Sequence, residues 1–146
     1  MADETFPATG ACMCGKVTYT ATIKANAGAC HCGMCRSWSG GPFMAAHATG
    51  PVEFSGADNI ATFSSSQWAE RGFCKNCGSN LFYRLLPRPG LPEGEYILSA
   101  GSVKEQQHLN FDNEVYVDHM PGWYEFAGNE SRQRLTEADI MAMYGG

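Results

Sequence analysis

Seven cysteines in a chain of 146 residues fall into three tight groups: Cys12-Met13-Cys14, Cys30-His31-Cys32-Gly33-Met34-Cys35 and Cys74-Lys75-Asn76-Cys77. In an extended segment, residues i and i+2 point to one side, so both sulfurs of a CxC reach one ion. In a CxxC, a tight turn brings two sulfurs round to one point. Free cysteine is among the most buried residue types, yet packing has no reason to repeat these intervals. A soft metal does. Tetrahedral zinc takes four ligands, and seven thiols divide into four plus three.

The two distant pairs, Cys12 and Cys14 with Cys74 and Cys77, make a closed four-thiolate site. Metal binding there becomes folding free energy, on the order of 10 kcal/mol, and staples the start of the chain to its middle. The remaining trio, Cys30, Cys32 and Cys35, can bind a second zinc through three sulfurs and leave a position open for a reactant. Three thiolates leave the ion with a net charge of about −1, a weak Lewis acid poorly suited to making hydroxide. Such an ion is better suited to accepting a fourth thiol and keeping it as thiolate, the nucleophilic form. The trio therefore reads as a thiol-handling centre.

Two alternatives stay open. A histidine, His47, His108 or His119, closes the site and both zincs are structural in an interaction module. Otherwise the trio is a redox switch that ejects metal on oxidation. His31 lies between two of the cysteines, and strand alternation points it away from the metal.

Arg36 directly follows the trio and joins Cys30, Cys32 and Cys35 as a candidate catalytic residue, orienting an anionic substrate or offsetting the site's charge. Arg71 and Arg84 flank the CxxC with the same ambiguity. Asp118 and His119 are a weaker candidate acid–base pair. Trp38, Trp68 and Trp123 are expected in the core rather than as a ligand platform.

These residues need short strands to hold them. Val17, Tyr19, Ala21 and Ile23 alternate with Thr18, Thr20, Thr22 and Lys24, the period of a half-buried strand. Asn26 to Gly28 read as a turn. Phe43 to His47, Pro51 to Phe54 and Ile60 to Phe63 read as extended. Trp68 to Phe73 runs into the CxxC and Asn80 to Leu86 leaves it, half a zinc ribbon. Tyr96 to Ala100 and Glu114 to Val117 complete seven or eight strands, with a loop over Pro87 to Gly94. Only the end looks helical: Thr136 caps, Asp139 follows at the capping-box interval, Ile140, Met143 and Tyr144 share a face, and Gly145 stops it. The expectation is a mostly β single domain over 1–146 with a short C-terminal helix.

Composition bounds the partners. A formal charge of −5 argues against nucleic-acid binding. No stretch approaches the roughly 18 apolar residues of a membrane helix. An odd cysteine count, without a secretory start over Met1 to Gly10, is expected of a reducing compartment, the cytoplasm.

The order Cys12-x-Cys14-Gly15, Cys30-His31-Cys32-x-x-Cys35-Arg36, Arg71-Gly72-Phe73-Cys74-x-x-Cys77-Gly78, then Trp123, resembles the glutathione-dependent formaldehyde-activating enzyme family, which also includes centromere protein V. The likeness covers a motif core of about residues 10–126. It implies a β-tent fold, a structural zinc on Cys12, Cys14, Cys74 and Cys77, and a labile zinc on Cys30, Cys32 and Cys35. It also implies a carbon–sulfur lyase in which the second zinc binds the glutathione thiol as it adds to formaldehyde, giving S-hydroxymethylglutathione. The chain departs from the pattern in its shorter length, in Ser37-Trp38 after Arg36, in Met120 before Pro121, and in lacking the basic tail of centromere protein V.

Overall fold

A computed structural model describes residues 4–143 of the chain. It is mostly β and ends in a short helix, as the sequence predicts. Within one small domain the elements sort into two compact units, Met1–Ala25 with Ala46–Leu109 and Asn26–Ala45 with Asn110–Gly146.

The first unit is apolar inside. β1 (Thr5–Ala11), β2 (Thr18–Lys24) and β5 (Glu53–Ser55) form an antiparallel sheet in the order β1-β2-β5. The alternation read in the sequence is real: Val17, Tyr19 and Ile23 are buried, while the threonines between them are not. β1 escaped the sequence reading because Ala8 and Gly10 are its only buried residues. Pro7 is tolerated there because β1 is an edge strand. β6 (Ile60–Ser64), β7 (Ala69–Cys74), β8 (Asn80–Leu85) and β9 (Glu95–Ser99) follow as an antiparallel meander, with Cys74 opposite Ile60 and Phe82 opposite Leu98. Ile23, Leu81, Leu98 and Val17 are fully buried in one cluster. Each such side chain contributes roughly 1.5–3 kcal/mol through the surface it removes from water.

The second unit has a polar interior. β3 (Asn26–Cys30) pairs antiparallel with β4 (Phe43–His47) through Phe43, Met44 and Ala45. On its other side β3 pairs parallel with β10 (Asn110–Val115), which pairs parallel with β11 (Gln133–Leu135). The turn expected at Asn26 to Gly28 is instead the start of β3. Its small residues serve close packing: a Cβ on Gly28 would lie 2.2 Å from the Asn113 side-chain oxygen.

The chain is not helical only at its end, contrary to the sequence expectation. α1 (Gly33–Ser39) starts within the three-cysteine stretch. Cys32 is its N-cap, with Sγ accepting from the Cys35 N–H at 3.4 Å. Gly40, at φ 79°, ends it and donates its N–H to the Arg36 carbonyl, the left-handed stop that glycine permits. α2 (Glu137–Met143) carries the expected capping box, with Thr136 N–H donating to Asp139 and Asp139 N–H returning to the Thr136 hydroxyl. Tyr144 and Gly145, expected to finish that helix, lie outside the described residues. The strands thus number eleven among the described residues, against the seven or eight expected. No helix among those residues is long and apolar enough to cross a membrane.

Candidate metal centres

In the first unit, two turns bring four sulfurs together. The β1–β2 turn is held by Cys12 N–H donating to the Val17 carbonyl and Gly15 N–H donating to the Cys12 carbonyl. The β7–β8 turn is held by Gly78 N–H on the Cys74 carbonyl and Cys74 N–H on the Ser79 carbonyl. Met13 N–H donates to the Ser79 hydroxyl and ties one turn to the other. The sulfurs of Cys12, Cys14, Cys74 and Cys77 lie within 4.8 Å of one another. Cys12 to Cys14 is 3.6 Å and Cys14 to Cys74 is 3.8 Å. Four sulfurs about 2.3 Å from a tetrahedral zinc sit about 3.8 Å apart, so this donor set fits that ion. Hydrogen bonding from Ser79 carries the Cys77 thiol down to about 5.

In the second unit, Cys30 ends β3, Cys32 caps α1 and Cys35 lies buried in its first turn. Their sulfurs also lie within 4.8 Å of one another. The neighbouring Cys32 and Cys35 sulfurs, helped by burial, push the Cys30 thiol far up. Three thiolates this close need a cation among them, so this donor set fits a soft metal too.

No histidine belongs to either sulfur cluster among the described residues. His31 is fully buried and commits both ring nitrogens elsewhere, Nε2 to Glu114 at 2.7 Å and Nδ1 to the Tyr124 hydroxyl at 2.8 Å. It is turned from the sulfurs, as strand alternation predicts. His47 pairs with Glu95 at 2.8 Å, and the His108 ring lies against Phe6. His119 pairs with Glu137 rather than with Asp118, whose carboxylate instead accepts from the Glu137 N–H.

Of the arginines, Arg71 is buried with its guanidinium over Tyr83, and Arg84 pairs with Glu70 and stacks over Tyr96. Arg36 is half-buried and its Nε donates to the His31 carbonyl at 3.0 Å. It lines a groove of about 260 Å³ with Gly33, Ser37, Gly40, Gly41 and Trp123. Trp123 is 77% exposed and Trp68 54% exposed, so the expectation of three core tryptophans fails for both. Only Trp38 has the partial burial and the ring partner, Phe43, of a packed residue.

Tyr116 is a residue the sequence did not single out. It holds a left-handed backbone at φ 56°, uncommon for a bulky side chain, and burial with the charge of the nearby trio raises its hydroxyl.

Comparison with known proteins agrees with the cysteine pattern. A model of the family described as glutathione-dependent formaldehyde-activating enzyme matches residues 7–119, a span that contains all seven cysteines. An uncharacterized lyase of Schizosaccharomyces pombe is 34% identical over 129 residues, covering 88% of this chain and 91% of the yeast protein.

Proposed function

The chain belongs to the glutathione-dependent formaldehyde-activating enzyme family, and from that premise we propose that it joins or splits the carbon–sulfur bond between a low-molecular-weight thiol and a small aldehyde. Family membership and the lyase relative support a glutathione-related, lyase-like activity. The finer reading takes glutathione as the thiol, formaldehyde as the aldehyde, and one zinc domain over 1–146 as the catalyst. The observation that carries it is the sulfur trio, which comes together without a fourth protein ligand in its cluster among the described residues.

In this reading Cys12, Cys14, Cys74 and Cys77 hold a structural zinc, and Cys30, Cys32 and Cys35 hold the working one. Bound at the trio, zinc would keep an incoming thiol in its ionised, nucleophilic form at neutral pH. The chemistry balances without a redox partner. Thiolate sulfur attacks the aldehyde carbon, a proton goes to the carbonyl oxygen, and the hydroxymethyl thioether leaves. Splitting is the reverse.

Arg36 acts on the substrate side. Its Nε is occupied by the His31 carbonyl and its Nη2 lies over Gly33, where an added Cβ would come within 3.7 Å. That places guanidinium charge in a groove floored by glycines and flanked by an exposed indole, suited to a carboxylate on a flexible thiol. The test mixes zinc-loaded protein with glutathione and formaldehyde and follows adduct formation by NMR exchange. Acceleration over the spontaneous rate that disappears in Cys32→Ser is the expected result. Equal rates with wild type, Cys32→Ser and no protein would rule this substrate pair out.

A further inference from the structure

The interior of the second unit holds a chain of polar side chains where an apolar core would be simpler. Glu114 and His31 are both 0% exposed. One Glu114 oxygen accepts from His31 Nε2 at 2.7 Å and the other from Arg132 Nη1 at 2.8 Å, with Arg134 Nε at 3.5 Å. Because a carboxylate only accepts, Nε2 donates to Glu114. On the other side of the ring, Nδ1 meets the Tyr124 hydroxyl at 2.8 Å. The Arg132 guanidinium lies 3.8 Å from the centre of the Phe111 ring and donates also to the Ala127 carbonyl. Burying such charges costs several kcal/mol per ion, and hydrophobic replacements of equal volume often do as well. Stability alone does not account for the network.

Its position does. His31 is the middle residue of Cys30-His31-Cys32, and every polar group it has is held. Its N–H donates to the Val115 carbonyl at 3.1 Å and its carbonyl accepts from Arg36 Nε at 3.0 Å. Its two ring nitrogens meet Glu114 and Tyr124. A residue fixed at four points fixes the peptide planes on both sides, and those planes set where the Cys30 and Cys32 sulfurs point. On the far side of Cys32, the Cys35 N–H bond to Cys32 Sγ sets the third.

We infer that the chain Tyr124–His31–Glu114–Arg132, buried at its two central members, is a positioning device that aims the three-cysteine stretch, tuning metal affinity and geometry at the trio without touching the metal. The inference rests on the reading of the trio as a metal site. Partners of this kind, which orient ligands from behind, are worth 10–100-fold in metal affinity when removed. The quartet, two of whose cysteines belong to the apolar cluster, serves as an internal control.

The test uses full-length protein purified with its zinc, treated with a mild chelator and then given Co(II), with zinc and cobalt counted per chain. Cobalt–thiolate absorption reports the affinity and geometry of the reloaded site. Wild type is expected to retain one zinc and take up one cobalt. His31→Ala is expected to retain its zinc, bind cobalt 10–100-fold more weakly and show altered ligand-field bands. Tyr124→Phe, which keeps the ring and loses one bond, should fall between the two. Cobalt affinity and spectra equal to wild type in both variants overturn the inference and leave the metal site standing. Loss of the retained zinc in step with the cobalt also overturns it, because the network would then be supporting the fold alone. A wild type that takes up no cobalt at all removes the metal reading and this inference with it.

Discussion

The two sulfur clusters differ in what surrounds them more than in their chemistry. Four sulfurs lie in a unit whose interior is Val17, Ile23, Leu81, Phe82 and Leu98, and two of the four, Cys12 and Cys74, belong to that apolar cluster. Three sulfurs lie in a unit whose buried centre is His31 and Glu114, with Arg132 and Tyr124 on them. A cluster set in a hydrophobic core is fixed by packing and needs only closure. A cluster set where a strand passes into a helix is fixed by directed hydrogen bonds, which can aim ligands while leaving one face uncovered. The same residue type thus makes a candidate staple in one unit and a candidate reaction centre in the other.

The largest expected difference is in folding. Cys74→Ser removes a ligand from the quartet and should forfeit most of a metal contribution on the order of 10 kcal/mol, leaving the chain largely unfolded by circular dichroism. Cys32→Ser should fold, with thermal unfolding close to wild type. If Cys32→Ser unfolds the protein as completely as Cys74→Ser, the division between staple and reaction centre breaks.

Next come the two interiors. Glu114→Ala strands a buried histidine and a guanidinium and should cost about 3–5 kcal/mol. Leu81→Ala leaves a cavity in the apolar unit and should cost about 2–5 kcal/mol. The two are similar in stability and should part in metal binding, with only Glu114→Ala weakening the trio in a cobalt uptake measurement. Equal effects of both variants on the trio would blur the comparison.

The smallest effect is in pH. Burial pushes the Glu114 carboxyl up, but hydrogen bonds from His31 and Arg132 outweigh it and hold the group below the usual carboxylate range. A group depressed in the folded state contributes stability above its unfolded value, and that contribution is lost as pH falls through the folded one. Wild type should therefore exceed Glu114→Gln in stability at neutral pH, with the gap closing on acidification below the ordinary carboxylate range. A gap that stays constant with pH in chemical unfolding would mean that Glu114 acts by shape and not by charge.

The parts of the molecule legible from sequence were those written at short range. Cysteine intervals, the alternation from Val17 to Ile23, the strands on either side of the CxxC and the Thr136–Asp139 capping box each need fewer than ten residues of context. The start of β3 looks like a turn because Asn26-Ala27-Gly28 has turn composition, until Asn113 is seen filling the space that Gly28 leaves. α1 was missed because its cap is a cysteine and its length only seven residues, too short for an apolar period to show. The clamp on His31 was invisible because Glu114 and Tyr124 stand 83 and 93 residues away. The tryptophan rule failed at Trp68 and Trp123 because size alone does not decide burial. Trp123 lines the groove beside Arg36, where an exposed indole suits a ligand.

Zinc X-ray absorption on protein holding two metals, with and without glutathione, tests the central claim most directly. Four ligands on one ion and three on the other predict an average of about 3.5 sulfurs per zinc alone, with the balance a light atom, rising to about 4 when the thiol is added. An imidazole contribution that persists unchanged in both samples would contradict it, since the second ion would then be closed by the chain itself.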